Sequence, residues 1–147
     1  MKIILSCGSE IDDKNSQYGD NLSPGVEFFD VPESAETIAL FMVDLNASMA
    51  REVHWVIWNI PSDSDLTVGI PVGEDPGVLE VRQGNNDFDV VGYTGPDYPP
   101  GNETYRFTAY ALDSEIDPGS GATRENVRLA MKGKILDKAV AEAGYTN

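Results

Sequence analysis

His54 is the sole histidine among 147 residues, and its ordinary pKa lies close to neutral pH. It sits in the run Val53-His54-Trp55-Val56-Ile57-Trp58-Asn59-Ile60-Pro61. Read with a period of two, His54, Val56, Trp58 and Ile60 share one face and Val53, Trp55, Ile57 and Asn59 the other. Both faces are mostly apolar, so both are expected to be buried. A buried imidazole needs partners for its ring nitrogens or an opening to solvent. Two readings stay open at this point: a hydrogen-bonded core histidine, or a pocket residue poised near neutral pH. Cys7 is the single cysteine and cannot form an intramolecular disulfide; it reads as a small core residue on a first strand.

The elements that must position these groups are mostly strands. Ile3–Cys7 and Val26–Phe29 are short candidates, and the apolar run Thr37–Val43 ends at Asp44, which therefore sits where a buried strand emerges. Val78–Arg82 is a weaker strand, and Gly84–Gly101, rich in Gly, Asn, Asp and Pro, is an ordered loop of the kind that carries binding residues. Tyr105–Asp113 alternates again. After the turn Asp117-Pro118-Gly119-Ser120-Gly121, Thr123 can cap a helix in which Val127, Ala130, Met131 and Ile135 recur at helical spacing. Gly133 divides that stretch, giving one or two C-terminal helices that end near Gly144.

Length and charge limit the function classes. A chain of 147 residues suits one domain spanning 1–147 and buries roughly 70% of its unfolded surface without staples. The 25 acidic residues against 10 Lys plus Arg give a net charge of -15, which repels nucleic-acid phosphates and anionic membranes. Adaptation to high salt, where such self-repulsion is screened, is one reading of this surface and ordinary acidity another. No segment reaches the length of a membrane span, the N-terminal apolar stretch is too short for a signal peptide, and a cytoplasmic protein is the default.

Several islands, in order, resemble the phosphatidylethanolamine-binding protein family, and in particular its bacterial and archaeal Raf-kinase-inhibitor-like branch. They are Asn21-Leu22-Ser23-Pro24, Val31-Pro32-Glu33, Val43-Asp44-Leu45-Asn46-Ala47, Val53-His54-Trp55-Val56, Asn59-Ile60-Pro61, Gln83-Gly84-Asn85-Asn86-Asp87-Phe88, Gly92-Tyr93-Thr94-Gly95-Pro96, Pro99-Pro100-Gly101, Tyr105–Asp113, Ala122-Thr123-Arg124 and Met131-Lys132-Gly133-Lys134-Ile135-Leu136. The resemblance implies a mainly β fold of packed antiparallel sheets with Greek-key-like connections and C-terminal helical elements. It also implies a small pocket at the strand ends for an anionic group such as phosphate, phosphoethanolamine or a carboxylate. Asp44 matches the family's pocket aspartate, His54 its histidine, Gly95 and Pro96 its loop wall, and Tyr105 its tyrosine. In that pocket Asp44 is expected to accept a hydrogen bond from His54 and favour the imidazolium, and Tyr105 to add a hydroxyl donor.

The chain departs from the pattern at two places. A second histidine followed by arginine usually precedes the tyrosine, whereas here the order is Glu103-Thr104-Tyr105. Leu45, Asn46 and Ser48 replace residues of the family's Asp-Pro-Asp-Ala-Pro wording. The leading expectation is thus a non-catalytic binding protein for a small anion or lipid headgroup, with an inhibitory or regulatory role towards a protein partner and a homodimer among its assemblies. No cofactor is expected. The alternative is a divalent-metal or cation site formed by Asp44, His54 and Glu103. A hydrolase built on His54 and Asp44, with Cys7 or Ser23 as nucleophile, ranks last because no nucleophile elbow is present.

Overall fold

The two most apolar runs of the chain pair at the centre of a five-stranded antiparallel sheet in a computed structural model that describes residues 1–47, 51–97 and 103–146. Among the described residues the strands are β1 (Lys2–Leu5), β2 (Val26–Phe29), β3 (Thr37–Asp44), β4 (Val53–Pro61), β5 (Arg82–Gln83), β6 (Glu103–Leu112) and β7 (Ile135–Tyr145), with one α-helix, α1 (Arg124–Ala130), and a short 3-10 turn at Asp13–Asn15. The sheet order is β5-β4-β3-β6-β7, and β1 and β2 form a separate two-stranded ribbon. Strands β3, β4 and β5 lie side by side and β6 returns to the far side of β3, a Greek-key arrangement. The mainly β architecture with packed antiparallel sheets is as expected.

Two cores flank the sheet. One joins Ile38, Leu40, Met42, Trp55, Ile57, Ile60, Tyr105 and Phe107 to Ile3, Leu5 and Val26 of the ribbon; the other joins Phe41, Val56 and Trp58 to Val127 and Met131. Each large side chain buried in this way contributes about 1.5–3 kcal/mol. Strands β3 and β4 are therefore buried on both faces, which is why their sequences run apolar without clean alternation.

Strand β4 is not regular. Met42 opposes Trp55 but the next residue, Val43, opposes Val53, so His54 is an extra residue on β4. A second bulge lies at Trp58-Asn59, between the pairs Ile38 with Ile60 and Leu40 with Ile57, where Asn59 takes a φ of 57°. Bulges re-aim side chains. Val53 consequently joins the core of Val56 and Trp58, whereas Ile60 joins that of Trp55 and Ile57, contrary to period-two alternation.

Three further expectations are corrected. The helical reading continues to Gly144, but α1 ends at Ala130 and Ile135–Tyr145 is the edge strand β7, so there is one C-terminal helix. Thr123 does cap it, accepting from the Asn126 N–H in a capping box. Only Arg82 of the Val78–Arg82 stretch is in a strand, and Cys7 lies beyond β1 and is half-buried. Gly84–Gly101 is a loop as far as it is described, and Ser48 and the island Pro99-Pro100-Gly101 lie outside the described residues.

Candidate functional site

The bulge on β4 turns His54 towards Tyr105, whose ring meets the imidazole edge-on at 5.0 Å between centroids. Phe88 approaches from another side at 4.8 Å. His54 is fully buried, and its Nδ1–H donates to the Thr94 carbonyl at 2.6 Å. The carbonyl can only accept, so this bond places the proton on Nδ1 and leaves Nε2 with a lone pair. Nε2 is buried and has no hydrogen-bond partner among the described residues.

Thr94 holds His54 from two sides, because its own N–H donates to the His54 carbonyl at 3.0 Å. Asn86 locks this arrangement. Its buried Nδ2 donates to the His54 and Gly92 carbonyls and to Thr94 Oγ1, while Oδ1 accepts from the N–H groups of Phe88 and Val90. Asn86, Phe88 and Thr94 stand in the sequence only as parts of the family-like islands, with no role of their own. A polar residue with full hydrogen-bonding capacity in a Gly/Asn loop was the available signal.

The loop of Gly95 and Pro96 rests on the N-terminal segment. Gly95 donates its N–H to Asn21 Oδ1 at 2.7 Å, Gln17 Nε2 donates to the Gly95 carbonyl, and the Gln17 N–H donates to the Pro96 carbonyl. A Cβ at Gly95 would lie 2.0 Å from the Asn15 carbonyl oxygen. The missing side chain at Gly95 therefore permits the close approach of the Asn15 backbone.

Asp44 closes β3 opposite Tyr105 on β6, with Glu103 two residues before it. Asp44 Oδ1 accepts from the Asn46 N–H at 2.8 Å, and Asn46 Oδ1 accepts from the Thr104 N–H at 2.7 Å, so Asn46 ties the two strand ends. The structure thus gathers His54, Tyr105, Asp44 and Glu103 at adjoining ends of β3, β4 and β6, with the Thr94–Pro96 loop beside them. Thr94, not Asp44, accepts from the His54 ring, which corrects the expected pairing. Arg51 lies over the Phe88 ring at 5.1 Å and pairs with Asp97 at 3.7 Å, largely exposed.

Burial pushes the His54 pKa below its ordinary value, opposed by the Thr94 carbonyl and then by the charges of Asp44 and Asp97. The neutral imidazole is the resting form, contrary to the expected imidazolium. Burial, a hydrogen bond with Asp44 and the charges of Asp44 and Asp97 raise the Glu103 pKa. Tyr105 is also raised, by burial first and then by Asp44, Glu103 and Asp97, so it stays a neutral phenol. No N–H or hydroxyl group of the described residues reaches the buried Glu103 Oε2, and the carboxyl beside Glu103 is that of Asp44. The site therefore combines an unpaired neutral acceptor with neighbouring carboxyl groups.

The architecture is a Greek-key antiparallel sheet that gathers polar side chains at adjoining strand ends. The chain belongs to the phosphatidylethanolamine-binding protein family, whose model matches residues 4–146. An uncharacterised protein family (UPF0098) member from Methanothermobacter thermautotrophicus is 41% identical over 124 residues, 82% of this chain and 80% of that one. One from Chlamydia muridarum is 34% identical over 147 residues, covering 96% of this chain and 93% of the other. Among solved structures, a phosphatidylethanolamine-binding protein homolog from Chlamydia trachomatis superposes with a TM-score of 0.87 at 28% identity, covering 99% of this chain and 97% of that one. Escherichia coli YbcL, a member of the mammalian family, shares the fold with a TM-score of 0.86 at 24% identity over 99% and 98% of the two chains.

Proposed function

We propose that the chain, as one domain, is a non-catalytic binding protein whose pocket around His54 takes a small phosphate-bearing or lipid-headgroup-type ligand. The observation that carries this reading is the buried, unpartnered Nε2 of His54, held open by the Nδ1 bond to Thr94. A buried polar atom without a partner is costly in an apolar core and useful in a binding site, where a ligand hydroxyl, ammonium or protonated phosphate oxygen supplies the donor. Tyr105 and Asp44 flank that position, and Gly95 and Pro96 form its loop wall.

The hydrolase reading loses support from its nucleophiles. Ser23 is buried with its hydroxyl oxygen accepting from the Ile70 N–H, and burial raises the Cys7 thiol. The metal alternative is weaker as well: among the described residues no three His, Cys, Asp or Glu side chains stand close enough to hold an ion. No helix among them is long and apolar enough to cross a membrane. Control of another protein, a homodimer and a cytoplasmic setting belong to the proposal and rest on the family and on the single cysteine.

The test is calorimetric titration with phosphoethanolamine of the wild-type protein and of His54→Asn. An asparagine amide can still donate to the Thr94 carbonyl but offers nothing in place of Nε2. The wild type binds and the folded variant does not; equal binding by both removes His54 from the site.

A further inference from the structure

Resting on the pocket reading above, we propose that Glu103 sets the charge of the ligand, admitting the ammonium end of a cationic or zwitterionic headgroup and excluding bare inorganic phosphate.

Two independent features carry this. The first is the arrangement of acidic groups: Glu103 opens β6, Asp44 ends β3 beside it within hydrogen-bonding range, and Asp97 acts on both Glu103 and His54. The Glu103 Oε2 atom is buried, and no N–H or hydroxyl group of the described residues reaches it. The second is the His54 ring, fully buried, with Nδ1 committed to Thr94 and Nε2 unpartnered. In this tautomer Nε2 only accepts. The two buried side-chain atoms at the site without a partner, His54 Nε2 and Glu103 Oε2, are thus both acceptors, and the charge of Asp44 and Asp97 nearby is negative.

An ammonium group matches such a surface, since it offers three donors, no acceptor and a positive charge. Phosphate at neutral pH offers mainly acceptors and negative charge, so it meets like charge at Asp44 and Glu103. The guanidinium of Arg51 stands outside, bound to Asp97 and over Phe88. A zwitterion is thus oriented, with its ammonium towards Asp44 and Glu103 and its phosphate towards the rim. Burial and the adjoining Asp44 raise the Glu103 pKa, and an incoming ammonium relieves that repulsion by supplying the missing counter-charge.

The experiment measures dissociation constants for ethanolamine, phosphoethanolamine and inorganic phosphate at pH 7.5, read from the His54 imidazole NMR signals. It compares the wild type with Glu103→Gln and Glu103→Asp, each checked by thermal melting. In the wild type the two amines bind at least about tenfold more tightly than phosphate, a factor equal to one pKa unit of charge interaction. Glu103→Gln shrinks or inverts that ratio, and Glu103→Asp keeps the wild-type order. Phosphate binding as tight as phosphoethanolamine in the wild type, or an unchanged ratio in Glu103→Gln, overturns the charge assignment while leaving the pocket intact. Silence of His54 towards all three probes is a different result and overturns the pocket itself, and this inference with it.

Discussion

The Nδ1–H of His54 and the carbonyl oxygen of Thr94 meet at 2.6 Å, and this one bond decides what the rest of the ring can do. It fixes the tautomer, leaves Nε2 as an acceptor, and relieves Asp44 of the role that sequence comparison gives it. The bond exists because a bulge inserts His54 into β4 as an unpaired residue, which turns its side chain towards Tyr105 and the loop of Thr94.

Asn86→Ala should be among the more damaging single changes near the site. It removes hydrogen bonds to the His54 carbonyl, the Gly92 carbonyl and Thr94 Oγ1, and leaves the N–H groups of Phe88 and Val90 without their acceptor. Losing such a buried network costs about 2 kcal/mol or more. Urea unfolding measures the loss, and a change under about 0.5 kcal/mol would show that the loop does not depend on Asn86.

Gly95→Ala tests the loop wall. The added methyl would overlap the Asn15 carbonyl, so the loop must move away from the N-terminal segment. Overpacking of this kind costs about 1–3 kcal/mol. Stability falls and phosphoethanolamine binding weakens together; a variant with wild-type stability and binding would mean that this contact is not tight in solution.

The pH dependence follows from the depressed His54 pKa. The folded state takes up its proton at lower pH than the unfolded chain, whose imidazole titrates near 6.5. Stability from keeping the ring neutral is present above that value and is lost as pH falls towards the folded pKa. Glu103 acts in the opposite sense, since its raised folded pKa costs stability as pH rises from about 4.5. Subtracting the unfolding free energy of His54→Asn from that of the wild type isolates the histidine. The difference should decline as pH drops from 7.5 to 5.5, and a rise over that interval would contradict a buried neutral imidazole.

Much of the sheet is legible from residue types. Runs buried on both faces identify β3 and β4, and alternation identifies β6. The C-terminal strand is not legible in the same way. Ala139, Ala141 and Ala143 are good helix formers by themselves, yet pairing of β7 along all of β6 overrides that preference and sets these small residues against the core. Positions 139, 141, 143 and 145 did carry a period of two, obscured by the helical repeat of Val127 and Met131 just before them. The family resemblance points to Asp44, His54 and Tyr105, which the fold brings to adjoining strand ends, and Glu103 enters as a departure from the family pattern. The bulge at His54 and the Thr94 acceptor are not legible in this way, because one depends on strand register and the other is a backbone carbonyl that no side-chain pattern reports.

A net charge of -15 on this surface leads to a salt prediction. Raising sodium chloride from 0.1 to 1 M shortens the Debye length from about 10 to 3 Å and screens the self-repulsion. The melting temperature should rise over that range, as a scanning calorimetry series would show. A flat or falling series would remove the case for adaptation to high salt.

The most direct test of the account is the imidazole spectrum of His54, which as the sole histidine gives one set of signals. Titration with phosphoethanolamine at pH 7.5 should shift Nε2 saturably from the position of an unprotonated nitrogen while Nδ1 stays protonated, and that shift should vanish in His54→Asn. A ring with the proton on Nε2, or a spectrum that ignores the ligand, would contradict a site built on the open acceptor of His54.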